Sequence, residues 1–183
     1  MILLRHGQSE FNLHFDATGI DPGIADAPLT PLGHRQAEAA ARHLEREDLR
    51  RILCSPFTRA LQTAAPIAAH LRVPVLVTPA VRERRAASCD VGTCRTDLAR
   101  AWPHLDLGLV DEVWWHEDEE PHHAFMERAT AFGADMAGDP DWGHTLVVCH
   151  WGFIMAVTGR SVANGAWVRC HVDADGRLAA ADP

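Results

Sequence analysis

Two histidines, two arginines and one glutamate of this chain each stand at or just beyond an apolar run with the character of a buried strand. Arg5-His6-Gly7 closes the run Met1-Ile2-Leu3-Leu4. Ile52-Leu53-Cys54-Ser55 leads to Arg59, and Val75-Leu76-Val77-Thr78 leads to Glu83. Leu146-Val147-Val148-Cys149 runs straight into His150. In open α/β sheets, ligands bind outside the carboxyl ends of the strands. The five side chains are therefore expected to meet at one edge of one sheet.

Such a set suits phosphoryl transfer, whose transition state spreads negative charge over three equatorial oxygens. Arg5 and Arg59 each offer paired N–H donors to those oxygens. His150 can add another donor. Two nearby arginines disfavour a third cation, so His6 is expected to be neutral and nucleophilic. It would attack phosphorus in line and carry the group as a phosphohistidine. Glu83 is the carboxylate placed just beyond a strand end near this set. It is expected to protonate the leaving alkoxide and then take a proton from water; the rival reading pairs it with Arg82, Arg84 or Arg85. Ser9 is a candidate cap for a short helix after Gly7, with backbone donors near the phosphate. Asn12 is a candidate contact to the transferred group, its rival being a local turn hydrogen bond.

The elements that must position these residues alternate. Strands are predicted at 1–5, 51–55, 74–78 and 145–149, and helical stripes follow. Thr30 and Pro31 mark a helix start, with Ala37, Ala40, Ala41 and Leu44 on its buried face. Phe57, Ala60, Leu61, Ala64, Ala68 and Leu71 form a second stripe, with a kink expected at Pro66. Arg95 to Trp102 reads as a short helix, and Phe125, Ala129, Phe132 and Met136 as a longer one. A short helix is expected from about Gly152. A hairpin is expected at the end: Trp167–Val172, a turn at residues 173–176, then Arg177–Ala179. This order predicts an α/β fold with a largely parallel sheet.

The 183 residues are sized for one domain, 1–183. A net charge of −8 disfavours nucleic-acid binding and confines any phosphate site to a local positive pocket. All 17 basic residues are arginines, which excludes a P-loop lysine, a kinase-type lysine and a Schiff base. Five cysteines, an odd number, argue against a secreted disulfide framework. The apolar start is too short for a signal peptide or a membrane span, so a cytoplasmic location is expected. His116, His122, His123, Cys89 and Cys94 show no metal-ligand spacing, so no metal and no cofactor are expected. Glu117 to Glu120 reads as a solvated loop. Trp102, Trp114 and Trp115 are read as a lid over the substrate pocket, with packing on the sheet edge as the rival; exposed, they could also serve a homodimer. Arg84 and Arg85 could bind a second anion or lie solvated.

Arg5-His6-Gly7-Gln8-Ser9-Glu10-Phe11-Asn12 resembles the opening signature of the histidine phosphatase superfamily, the phosphoglycerate mutase-like proteins. Ala27-Pro28-Leu29-Thr30 with Gly33 and Gln36-Ala37 is similar to that family's Leu-Thr-x-x-Gly-x-x-Gln-Ala stretch. Ser55-Pro56-Phe57-Thr58-Arg59-Ala60-Leu61-Gln62-Thr63-Ala64 resembles its second-arginine motif, and Cys149-His150-Trp151-Gly152 its second-histidine motif. The resemblance implies a three-layer α/β/α sandwich with a mostly parallel sheet. It implies His6 as nucleophile, Arg5, Arg59 and His150 as the phosphate pocket, and Glu83 as proton donor. Asn12, Trp151 and Gly152 complete the candidate substrate-binding set. The acid-phosphatase branch carries Asp directly after the second histidine; Trp151 stands there, which favours Glu83. Mutases usually carry Glu at the position of Gln8 and Trp at that of Phe11, and Arg85-Ala86-Ala87 breaks another of their stretches. The expected activity is therefore metal-independent hydrolysis of a small phosphate monoester. A phosphomutase and a non-catalytic phospho-ligand-binding module are the alternatives.

Overall fold

The computed structural model describes residues 1–173 and 177–181. Its strands are β1 (Ile2–Arg5), β2 (Arg51–Cys54), β3 (Val75–Val77), β4 (Thr145–Cys149), β5 (Trp167–Val172) and β6 (Leu178–Ala180). They form one sheet in the order β3-β2-β4-β1-β5-β6. The first four are parallel; β5 runs antiparallel to β1, and β6 to β5. The four apolar runs are thus the four parallel strands. Residues 174–176 of the expected hairpin turn lie outside the described residues.

Successive strand residues point to opposite faces. Ile2, Leu4, Ile52, Cys54, Leu146 and Val148 join one core cluster, and Met1, Leu3, Val147 and Cys149 join another. Both faces are covered, which is why these strands read as unbroken apolar runs rather than alternating ones. Helices α2 (Pro31–Leu44), α3 (Thr58–Leu71) and α4 (Arg95–Ala101) pack on the first face. Helices α5 (His122–Ala137) and α6 (Trp151–Thr158) pack on the second. The result is a three-layer sandwich. Thr30 caps α2 by accepting from the Gly33 amide. Helix α3 is continuous through Pro66. Helix α1 (Glu10–Thr18) follows β1 and packs its Phe11 with Ala27 and Cys89.

The strand order sets the site. β4 lies between β1 and β2, and Arg5 pairs in register with Cys149. The next residues, His6 and His150, therefore leave adjacent parallel strands side by side. The His6 amide donates to the Cys149 carbonyl at 3.0 Å.

Two expectations about residues 79–120 are corrected. The charge run is not uniformly solvated: Glu120 is buried, with ion pairs to Arg82 at 3.0 Å and Arg128 at 2.7 Å. Two guanidiniums from separate segments supply what burial of a carboxylate requires. The tryptophans form no lid. Trp114 is buried edge-on to Phe57 at 4.6 Å between centroids, and Trp102 and Trp115 are half-buried against the same core. The exposed aromatic surface invoked for a homodimer is largely inside the fold. No helix among the described residues is long and apolar enough to cross a membrane.

Candidate active site

His6 is buried, and its Nδ1 lies 2.7 Å from the Gly7 carbonyl oxygen. A carbonyl only accepts, so Nδ1 carries the proton and Nε2 keeps its lone pair. Burial, then Arg59 and Arg5, hold the imidazole pKa well below its ordinary value. His6 is thus a neutral nitrogen base between two guanidiniums. The backbone here is packed too tightly for side chains. A Cβ on Gly7 would collide with the Gly33 carbonyl, and one on Gly33 with the carbonyl of Gln8. The Gly7 amide donates to Thr63 Oγ1 at 3.1 Å, which ties the loop to α3.

The two arginines are held from behind. Arg5 donates through Nη1 to the Val162 carbonyl at 2.9 Å, while its buried Nε has no partner among the described residues. Arg59 opens α3. Its Nη1 donates to the Cys89 carbonyl at 2.7 Å and its Nη2 to Asp90 Oδ1 at 3.1 Å. Asp90 is buried and also accepts from the Ala86 and Ala87 amides through Oδ2. It therefore fixes the guanidinium and the loop together. Asp90→Ala should cost about 3–5 kcal/mol of stability, the penalty for leaving a buried guanidinium unpaired. Denaturant unfolding checks this; a loss below about 1 kcal/mol would make the pair incidental. Asp26, at a positive φ of 40°, binds both the amide and the hydroxyl of Thr58 and so secures the start of α3.

His150 is fully buried behind His6, with ring centroids 5.1 Å apart. It does not line the cavity described below. Its Nε2 lies 2.8 Å from Ser55 Oγ, and its Nδ1 is a buried atom with no partner among the described residues. Ser55 Oγ also lies 3.5 Å from the Phe57 amide nitrogen, and its hydroxyl can either donate to Nε2 or accept from it.

Glu83 lies beyond a 3₁₀ turn, Pro79–Val81, that follows β3. Its carboxylate accepts from the Arg84 amide through Oε1 and from the Gly152 amide through Oε2, both at 2.9 Å. The rival pairing with neighbouring arginines is not what forms: the side chains of Arg82 and Arg84 pair with Glu120 and Glu119 instead. Burial, then Asp90, raises the Glu83 pKa; the two amides and Arg59 partly offset this. Gly152 must be glycine for this contact, because a Cβ there would overlap the Glu83 carboxylate. Gly152→Ala should push Glu83 aside and lower kcat on alkyl phosphates by about tenfold, part of what general acid catalysis contributes. Unchanged steady-state kinetics would detach Glu83 from the chemistry.

Arg5, His6, Arg59 and Glu83 line one cavity of about 750 Å³. Asn12, Trp151 and Gly152 line it as well. Asn12 Oδ1 is committed to the cap of α1, accepting from the Ser9 amide at 3.2 Å, and to Asn164 at 3.1 Å. The local turn bond is therefore present, and only the Nδ2 side of the amide is left for a ligand. Ser9 does cap α1, yet the Glu10 amide goes to the Pro28 carbonyl and the Asn12 amide to Ser9 Oγ. The expected backbone donors at that helix start are largely taken. Trp151 is exposed at the rim, its Nε1 donating to Ser161 Oγ at 3.0 Å. Arg84 lines the cavity but pairs with Glu119; Arg85 does not line it and donates to the Ala87 carbonyl at 2.6 Å.

A family model described as histidine phosphatase superfamily (branch 1) matches residues 1–173. The chain belongs to the histidine phosphatase superfamily. A glucosyl-3-phosphoglycerate phosphatase of Mycolicibacterium vanbaalenii is 27% identical, over 96% of this chain and 86% of its own length. A 2,3-bisphosphoglycerate-dependent phosphoglycerate mutase of a Methylobacterium species is 42% identical, over 55% of this chain and 48% of its own. The solved structure of a mycobacterial glucosyl-3-phosphoglycerate phosphatase superposes with a TM-score of 0.69 at 22% identity, covering 99% of this chain and 95% of that one. This superfamily member thus shares the fold of that enzyme.

Sequence reasoning missed Asp90, Ser55, Thr63 and Asn164. Ser55 and Thr63 stand within the second-arginine motif and were legible as motif members, though not as partners of His150 and Gly7. Asn164 donates to the His6 carbonyl at 3.2 Å. Nothing in the sequence around Asn164 or Asp90 marks either residue.

Proposed function

We propose that this chain is a metal-independent phosphatase that hydrolyses a small phosphate monoester through phospho-His6. The observation that carries the reading is the tautomer of His6, set by the Gly7 carbonyl, in a cavity shared with Arg5, Arg59 and Glu83. His6 Nε2 attacks phosphorus as the ester P–O bond breaks, and protonated Glu83 gives its proton to the departing alkoxide. Water then attacks the phosphohistidine and yields a proton to the Glu83 carboxylate. Phosphate leaves, and His6 returns to its neutral form. Arg5 and Arg59 stabilise the charge on the equatorial oxygens throughout, and His150, behind His6 and with its Nδ1 unpartnered among the described residues, is the third candidate donor. Asn12 Nδ2, Trp151 and Gly152 flank the bound ester.

The phosphatase relative aligns along 96% of this chain and the mutase along 55%, which supports hydrolysis over isomerisation. Five free cysteines, four of them buried, suit a cytoplasmic setting. Phosphate release from a panel of small esters in EDTA, with product analysis, tests the reading. Free phosphate is expected; an isomeric ester would identify a mutase, and tight binding without turnover a binding module.

The pH profile follows from the two shifts. Activity needs neutral His6 and protonated Glu83. The acid limb of kcat/KM should lie below the ordinary imidazole range, because burial and two arginines depress His6. The alkaline limb should lie above the ordinary glutamate range, because burial raises Glu83. Glu83→Gln should abolish the alkaline limb alone; its survival would assign that limb to another group.

A further inference from the structure

Above its charged floor, the cavity is walled by apolar side chains. Phe11 and Phe15 of α1 stack with ring centroids 5.4 Å apart. Phe125 and Met126 of α5 and Met155 of α6 line the same space. Phe15 is 43% exposed, so a ligand that covers it removes apolar surface from water. Methionine thioethers adapt to irregular ligand shapes. The wall is also poor in free cations. Besides Arg5, His6 and Arg59 at the floor, its basic side chains are Arg84 and His122. Arg84 is engaged by Glu119, and its Nε by the Glu120 carbonyl at 2.8 Å. His122 is a single imidazole, without the two-pronged geometry that suits a carboxylate or a second phosphate. The carboxyl group of Asp16 stands on the same wall, in a chain of net charge −8.

We infer that the preferred substrates are phosphate monoesters of apolar alcohols, alkyl or aryl, with no second anionic group. This deepens the phosphatase reading and rests on it. The phosphoryl group binds the arginine floor, and the leaving alcohol lies against the phenylalanines and methionines. A carboxylate or second phosphate on the leaving group would meet Asp16 and an Arg84 already paired with Glu119.

The test compares kcat/KM for n-hexyl phosphate, ethyl phosphate and 3-phosphoglycerate in EDTA, with nitrophenyl phosphate as activity control. Hexyl and ethyl esters share leaving-group chemistry, so their ratio reads burial of the chain. One fully buried methylene is worth a factor of about four, so four extra methylenes bound the ratio at about 200. A ratio of at least about tenfold is expected, with 3-phosphoglycerate the poorest substrate. Phe15→Arg should narrow the hexyl-to-phosphoglycerate ratio by about tenfold, by exchanging apolar wall for a free cation. A hexyl-to-ethyl ratio near one, or preference for 3-phosphoglycerate, overturns the inference if nitrophenyl phosphate is still hydrolysed, and leaves the phosphatase reading intact. No turnover of any of the four esters overturns both.

Discussion

His6→Ala should end turnover of every phosphate ester, lowering kcat by at least about 10⁴-fold while the fold survives, since loss of a covalent nucleophile is among the largest single-residue effects. The expectation rests on three local facts. Nδ1 is spoken for by the Gly7 carbonyl, so the free lone pair is on Nε2. Burial and two guanidiniums keep the ring neutral. The ring lines the cavity that also holds Arg5, Arg59 and Glu83. Circular dichroism should show an unchanged spectrum, because the substitution keeps the backbone hydrogen bond from this position to the Cys149 carbonyl. Activity within about tenfold of wild type in a folded variant would mean that water, not His6, attacks phosphorus.

Glu83→Gln should have the second largest effect, and the effect should depend on the leaving group. Alkyl phosphates expel a strongly basic alkoxide and should lose about 10²–10⁴-fold in kcat/KM, the range of general acid catalysis. Nitrophenyl phosphate expels a stable anion and should lose less than about tenfold. Glutamine keeps the shape and can still accept from the Gly152 amide but loses the bond from the Arg84 amide, so it is the difference between the two esters that isolates the proton. Equal losses on both esters would reduce Glu83 to a positioning residue for α6.

The layers were legible because β1, β2 and β4 are buried on both faces, so each reads as a short apolar run. Their parallel order was legible from alternation with helical stripes. Arg5, His6 and Arg59 were legible because each ends or follows such a run, and Glu83 because it follows the apolar edge strand β3; the structure brings all four to one cavity. His150 was legible as a strand-end histidine, but its place behind His6 depends on β4 lying between β1 and β2, which no local pattern encodes. The segment 79–120 resisted reading because little of it is periodic. Its order comes from ion pairs between separate segments: Asp90 with Arg59, and Glu120 with Arg82 and Arg128. A carboxylate in a charge run looks solvated until its partners, Arg82 from 38 residues upstream and Arg128 from α5, are placed beside it. The tryptophans misled for the same reason. Trp114 is buried against Phe57, at the start of α3, and Trp115, with its Nε1 donating to the Thr93 carbonyl.

The most direct test is to trap the covalent intermediate. Wild-type enzyme would be mixed with a labelled phosphate ester in EDTA, quenched within one turnover at alkaline pH, digested and sequenced by mass spectrometry. The expected result is one phosphoryl group on the peptide that begins the chain, localised to His6, stable to alkali, lost in acid and absent from His6→Ala. A label on another residue, or full turnover with no label at any quench time, would contradict phospho-His6.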